Sequence, residues 1–266
     1  MPIPTVVTHA TGSPADPRIF LTHARGSYTS LVNARLGMTG SEPQEMNVEN
    51  PECALALSYA PVDARPAIAA LFSLDAALAQ VLRTTREPAI GQMRLVWWRD
   101  RLAALDGAAP PAEPVLQVLG AHVLPRGVRG AELAPLAEAW EAFALADPLD
   151  MPALEAFADE RGGRLFALAA TVLGTDAARA REAGGGWALA DLARHLRGEQ
   201  LASAAREGAD RALRTLRGKP WPRRARALSA LAHLARMNLA LPVDAPVPHG
   251  APHRVARLLW HRLSGR

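Results

Sequence analysis

The chain has 266 residues, 49% hydrophobic and only 5% aromatic, enough to bury a sizeable core in one large domain or two small ones. Ala and Leu dominate, Val and Ile are sparse, and no alternating β-branched run marks a strand, so the expected fold class is all-α. The net charge is +4 and nearly every base is arginine, with Lys219 the sole lysine; a GC-rich bacterial genome explains that bias, and no nucleic-acid partner is expected from it.

Residues 1–45 are rich in Thr, Ser, Gly and Pro, with Asp16 the one acid before Glu42. We expect a disordered tail or an upstream start codon there, and a helical domain over 46–266. Asn50-Pro51-Glu52 caps and starts a first helix that Pro61 ends. It carries the single cysteine, Cys53, so no intramolecular disulfide is expected and a reducing, cytoplasmic compartment fits. A long helix follows over 66–82, with Pro66 in its first turn and only Ser73, Asp75 and Gln80 polar inside it. Asp75 lies three, four and seven residues from Phe72, Leu71 and Ile68, on a face expected to be buried. Glu87-Pro88 opens the next helix, whose expected apolar stripe is Met93, Trp97 and Leu102. Shorter helices are expected over 114–119 and 132–145. Asp150 caps a long one over 154–173, strained at Gly162-Gly163. The run Gly184-Gly185-Gly186 is expected to break the chain before a helix at Trp187. It is no phosphate loop, since no strand leads into it and no Lys-Ser/Thr follows. Helices over 201–216, 223–239 and 252–263 complete the chain. No stretch approaches about eighteen consecutive apolar residues, so no membrane-spanning helix is expected.

One stretch carries more than helical periodicity. The run Leu71-Phe72-Ser73-Leu74-Asp75 through Ala79-Gln80-Val81, then Ile90-Gly91-Gln92-Met93-Arg94 and Trp97-Trp98-Arg99, resembles squalene/phytoene synthase proteins. More narrowly it is similar to the divergent branch that includes a mitochondrial complex I assembly factor. Phe157-Ala158, Leu165-Phe166-Ala167, Val172-Leu173-Gly174 and Gly186-Trp187-Ala188 add to the match, which spans roughly residues 50–200. The resemblance implies a helical bundle of the isoprenoid synthase type. Enzymes of that family join two prenyl diphosphates, and Mg²⁺ held by two Asp-x-x-x-Asp motifs on facing helices stabilises the leaving pyrophosphate. Four-residue spacing puts both carboxylates of a motif on one helical face.

Neither motif is present. Where the resemblance places the first, this chain has Ala79, Gln80 and Arg83. Where it places the second, it reads Ala193-Arg194-His195-Leu196-Arg197-Gly198. The nearest acidic pairs are Glu155/Asp159, with Glu155 expected to face water, and Asp191/His195. The expectation is therefore a non-catalytic member with no catalytic residue, no metal and no cofactor. It would be a scaffold or assembly factor whose partner is a respiratory-complex subunit, a prenyl diphosphate or lipid, or a membrane surface touched peripherally. The alternative is an active prenyltransferase that holds Mg²⁺ with replacement acids such as Asp75, Asp191 or Glu199. A third reading is a helical protein whose cavity is filled by Leu, Phe and Trp.

The candidate pocket or anion-binding residues are Asp75, Gln80, Arg83, Gln92, Arg94, Trp98 and Arg99. Arg94 and Trp98 share a helical face, as do Gln92 and Arg99. Asp75 with one of these arginines would make a buried ion pair between core helices, and Arg83, Arg86 and Arg94 would suit an anion bound without metal. The competing reading puts Trp97 in the core and lays the arginines along the surface on their apolar stems. His249 and His253, separated by prolines, are not expected to bind zinc. Arg254, Arg257, Trp260, His261 and Arg262 form a basic amphipathic end, compatible with an anionic membrane surface or with a solvated last helix.

Overall fold

A computed structural model describes residues 51–265, apart from residues 86, 197, 217, 219, 243 and 244. The expected tail or alternative start over 1–45, and Arg86, lie outside the described residues. Among the described residues there are helices and no strand. In chain order they are α1 (Pro51–Leu57), α2 (Arg65–Thr84), α3 (Pro88–Ala104), α4 (Pro114–His122), α5 (Gly130–Leu145) and α6 (Met151–Ala158). Then come a π-helical turn (Asp159–Gly163), α7 (Arg164–Leu173), α8 (Ala177–His195), α9 (Glu199–Thr215), α10 (Arg226–Leu239) and α11 (Pro252–Ser264).

Their boundaries follow from local chemistry. Proline occupies the first turn of α2, α3, α4, α6 and α11, where a missing N–H removes no helical bond. Asp150 accepts the Ala153 N–H at 3.0 Å to cap α6, and Asp176 accepts those of Ala178 and Arg179 to cap α8. Asp106 reaches across from the end of α3 to accept the Gly130 and Ala131 N–H groups that open α5.

Helix α8 is the hub, packed against α9, α10, α7, α6 and the π turn, while α3 pairs with α5. The triple glycine does not break α8, contrary to the sequence expectation. A Cβ on Gly184 would lie 2.0 Å from the Gly162 carbonyl oxygen, and one on Gly162 would lie 2.3 Å from that of Gly184. A Cβ on Gly186 would meet Leu213 of α9 at 2.8 Å. These glycines let two neighbours approach the α8 backbone, and that packing outweighs their poor helix propensity.

Helix α2 is long and apolar enough to cross a membrane by length and composition alone, although 56% of that stretch is buried inside the bundle. Ile68, Leu71, Leu74, Leu78 and Val81 carry its buried side.

Candidate functional site: a sealed ionic centre

The inward face of α2 presents Asp75 between turns of leucine, as the spacing predicts. Its partner is neither Arg94 nor Arg99, which corrects the sequence expectation. Arg161, from the π turn, donates from Nε to Asp75 Oδ1 at 2.8 Å and from Nη2 to Oδ2 at 2.9 Å. Its Nη1 donates to Asp191 Oδ2 of α8 at 2.9 Å. One guanidinium thus joins carboxylates from two helices that flank it, in the fork geometry that suits arginine.

Aromatic rings close the remaining sides. The guanidinium carbon lies 4.7 Å from the Trp140 ring centroid, 5.2 Å from that of Trp187 and 5.7 Å from that of Phe157. Phe166 packs on Trp187 at 5.4 Å, and Phe72 meets both edge-on. Wound as a π turn, this segment holds one extra residue against a regular helix. Gly162 beside Arg161 has no side chain to hold α8 away.

The electrostatics follow from this enclosure. Burial alone would raise the Asp191 carboxyl, but the charges of His195, Arg161 and Arg83 hold it below the ordinary carboxylate range. Burial likewise opposes charge on Arg161, yet Asp75 and Asp191 more than restore it and push the guanidinium above its usual value. His195 Nδ1 sits 3.4 Å from Asp191 Oδ1 and 2.7 Å from the Asp191 carbonyl oxygen.

Of the other predicted residues, Arg83 reaches this centre through its charge on Asp191, while Gln92, Arg94 and Arg99 make their contacts elsewhere. Arg83 Nε donates to Gln80 Oε1 at 3.0 Å, on the last turns of α2. Arg94 Nη1 donates to Thr85 Oγ1 at 2.9 Å and to Thr84 Oγ1 at 3.4 Å. Both arginines stand at the C-terminal, negative end of the α2 dipole, which accounts for their placement structurally. Gln92 Nε2 donates to Glu141 Oε1 at 3.3 Å, and Arg99 pairs with Asp100 at 3.0 Å and Glu141 at 3.7 Å.

The register of α3 explains this arrangement. Gly91, Leu95, Trp98 and Leu102 face inward at spacings of four, three and four, so Trp98 is buried. Met93 and Trp97, expected in the core stripe, are exposed. A small groove, open to solvent, runs between the ends of α2 and α5 and the start of α3. Leu82, Gly91, Gln92, Leu95 and Glu141 help line it, and Asp75 does not.

The donor set does not fit a Mg²⁺–diphosphate site. Both oxygens of Asp75 and one of Asp191 accept from Arg161, so a divalent cation would have to sit against a guanidinium. No group of three His, Cys, Asp or Glu side chains is placed to hold a metal ion among the described residues. Glu155 is exposed as expected, and Glu199 is exposed at the start of α9. His249 Nδ1 lies 3.3 Å from Glu52, which also binds Arg254 of α11.

A family model for squalene/phytoene synthase matches residues 48–206, more than half of the chain. The chain belongs to the squalene/phytoene synthase family. The all-α bundle is this family's fold, and the matched stretch ends inside α9, leaving α10 and α11 beyond it. No curated protein and no solved structure matches the chain.

Sequence reasoning missed Arg161 in this squalene/phytoene synthase family member. The signal was available, because Gly162-Gly163 and Gly184-Gly185-Gly186 are two glycine clusters inside helical stretches. Such clusters mark close backbone approach, and a long basic side chain beside one is then forced inward or outward. Asp75 alone on an apolar face required an inward one.

Proposed function

We propose that this chain is a non-catalytic member of the squalene/phytoene synthase family, acting as a helical scaffold or assembly factor. The observation that carries this reading is the Asp75–Arg161–Asp191 bridge. A metal-dependent family enzyme needs carboxylates on facing helices that are free to hold Mg²⁺ against a diphosphate. Here the facing carboxylates hold a guanidinium, which brings one positive charge and no open coordination position. Trp140, Phe157, Phe166 and Trp187 fill the interior around it. Ala79, Gln80 and Arg83, where enzymes carry acids, support the same reading. A respiratory-complex subunit as partner rests on the sequence's resemblance to the assembly-factor branch.

Pyrophosphate release from farnesyl and geranylgeranyl diphosphate, measured with and without Mg²⁺, tests the proposal. No release under either condition is expected. Release that requires Mg²⁺ would overturn it and favour an active prenyltransferase working through replacement carboxylates. Capture of a respiratory-complex subunit by the tagged full chain tests the partner.

A further inference from the structure

Helix α11 is built inside out relative to a solvated terminal helix. Its inward side sets two locked polar groups, Arg254 and His261, on either side of the buried Leu258. Arg254 Nε and Nη2 donate to the two oxygens of Glu52 at 2.8 Å each, and Nη2 also donates to Asn238 Oδ1 at 2.9 Å. Ser229 Oγ and His261 Nε2 are 2.7 Å apart, and the His261 ring stacks on that of His233 at 5.5 Å. Its outward side is apolar. Leu259 is 45% exposed, Trp260 58% and Leu263 75%.

At 100° per residue, Ala256, Leu259, Trp260 and Leu263 form one crest, pointing away from the buried Arg254, Leu258 and His261. Exposed Arg257 and Arg262 flank that crest about 110° to either side, Arg257 with its Nε donating to His233 Nε2 and Arg262 lying over the Tyr59 ring. The whole of α11 contains no acidic residue. Its one carboxylate partner among the described residues, Glu52, is buried beneath it and neutralised by Arg254.

From this we propose that α11 is a docking face for an anionic lipid surface. An apolar crest topped by tryptophan and flanked by arginines matches a boundary that is apolar below and negatively charged at headgroup level. The buried Glu52–Arg254 pair keeps the crest turned outward, so docking needs no rearrangement of the bundle. The exposed stripe on α3, made of Ile90, Met93 and Trp97, differs by having Glu87 and Asp100 close in sequence. It serves as the internal control. Docking through α11 requires no catalysis by the bundle.

The test is co-sedimentation of the full chain with vesicles of phosphatidylcholine alone or mixed with phosphatidylglycerol. Binding to the mixed vesicles, weak binding to the neutral ones and loss at high salt are expected. Trp260→Ser and Leu263→Ser should each weaken binding about tenfold, and Arg262→Gln about fivefold. Met93→Ser should leave it unchanged. These crest residues are exposed, so unchanged circular dichroism separates lost binding from lost folding. Absence of binding to anionic vesicles at low salt would overturn the proposal. So would crest variants that bind like the parent, a Met93→Ser loss equal to theirs, or crest variants that turn a dimer into a monomer.

Discussion

The Asp75–Arg161–Asp191 centre and the outer crest of α11 break the same rule in opposite directions. One places three charged groups in the interior, and the other places leucine and tryptophan in solvent. Inside, every charge has a counter-charge and a hydrogen bond from the chain itself, so the region is complete. Outside, the crest has no counterpart among the described residues, so the region is complete only against something else. A burial anomaly that is satisfied internally is architecture; one that is left open points to a partner.

The sharpest way to break this comparison is Arg161→Ala. It strands the buried Asp75 carboxylate and removes one partner of the half-buried Asp191, and should cost about 3 kcal/mol, read as a lower urea midpoint. Replacing all three groups with apolar side chains (Asp75→Leu, Arg161→Met, Asp191→Leu) should be far milder, because no uncompensated charge remains. If the triple variant is as unstable as the single one, the centre is more than a neutralised contact.

Next comes the glycine contact that makes room for it. Gly184→Ala drives a Cβ into the Gly162 carbonyl and should cost about 3 kcal/mol. Gly185→Ala meets nothing closer than 4.0 Å and should gain up to about 1 kcal/mol of helix propensity. Thermal unfolding of the two variants in opposite directions would establish that packing, not composition, selects the glycines.

A smaller effect distinguishes the inner side of α11 from its crest. His233 is pushed down to about 3 from 6.5 by burial and by the positive neighbours His261, Arg236 and Arg257. Its Nε2 accepts from Arg257 Nε at 3.1 Å, which requires the neutral ring. The unfolded chain protonates first as pH falls, so this contribution is full above about 6.5 and fades toward about 3. Roughly 2 kcal/mol should be lost before the glutamates begin to titrate. His233→Gln should flatten that slope in Tm against pH. Smallest of all, Arg99→Ala should leave Tm unchanged, since its partners Asp100 and Glu141 form a surface network.

Much of this protein was legible one helix at a time. The prolines at first turns, the cap at Asp150 and the inward face of α2 are local properties, readable from spacing within a few residues. So is the absence of paired acids where the family resemblance places them. The errors have a common cause. Gly184-Gly185-Gly186 looked like a break because helix propensity is local, whereas the compensating contact with Gly162 comes from another helix. Trp97 and Trp98 are adjacent and equally apolar, so only the packing of α3 on α5 decides which one is buried.

By itself, then, the sequence determined the all-α class, the family, the helix starts marked by proline and the need of Asp75 for a buried partner. Tertiary structure alone decided that the partner is Arg161, because it lies 86 positions away, beyond the reach of any periodicity. It also decided that α11 turns its apolar crest outward. An amphipathic pattern shows that a helix has two faces, and only the Glu52–Arg254 pair beneath it settles which face meets the core.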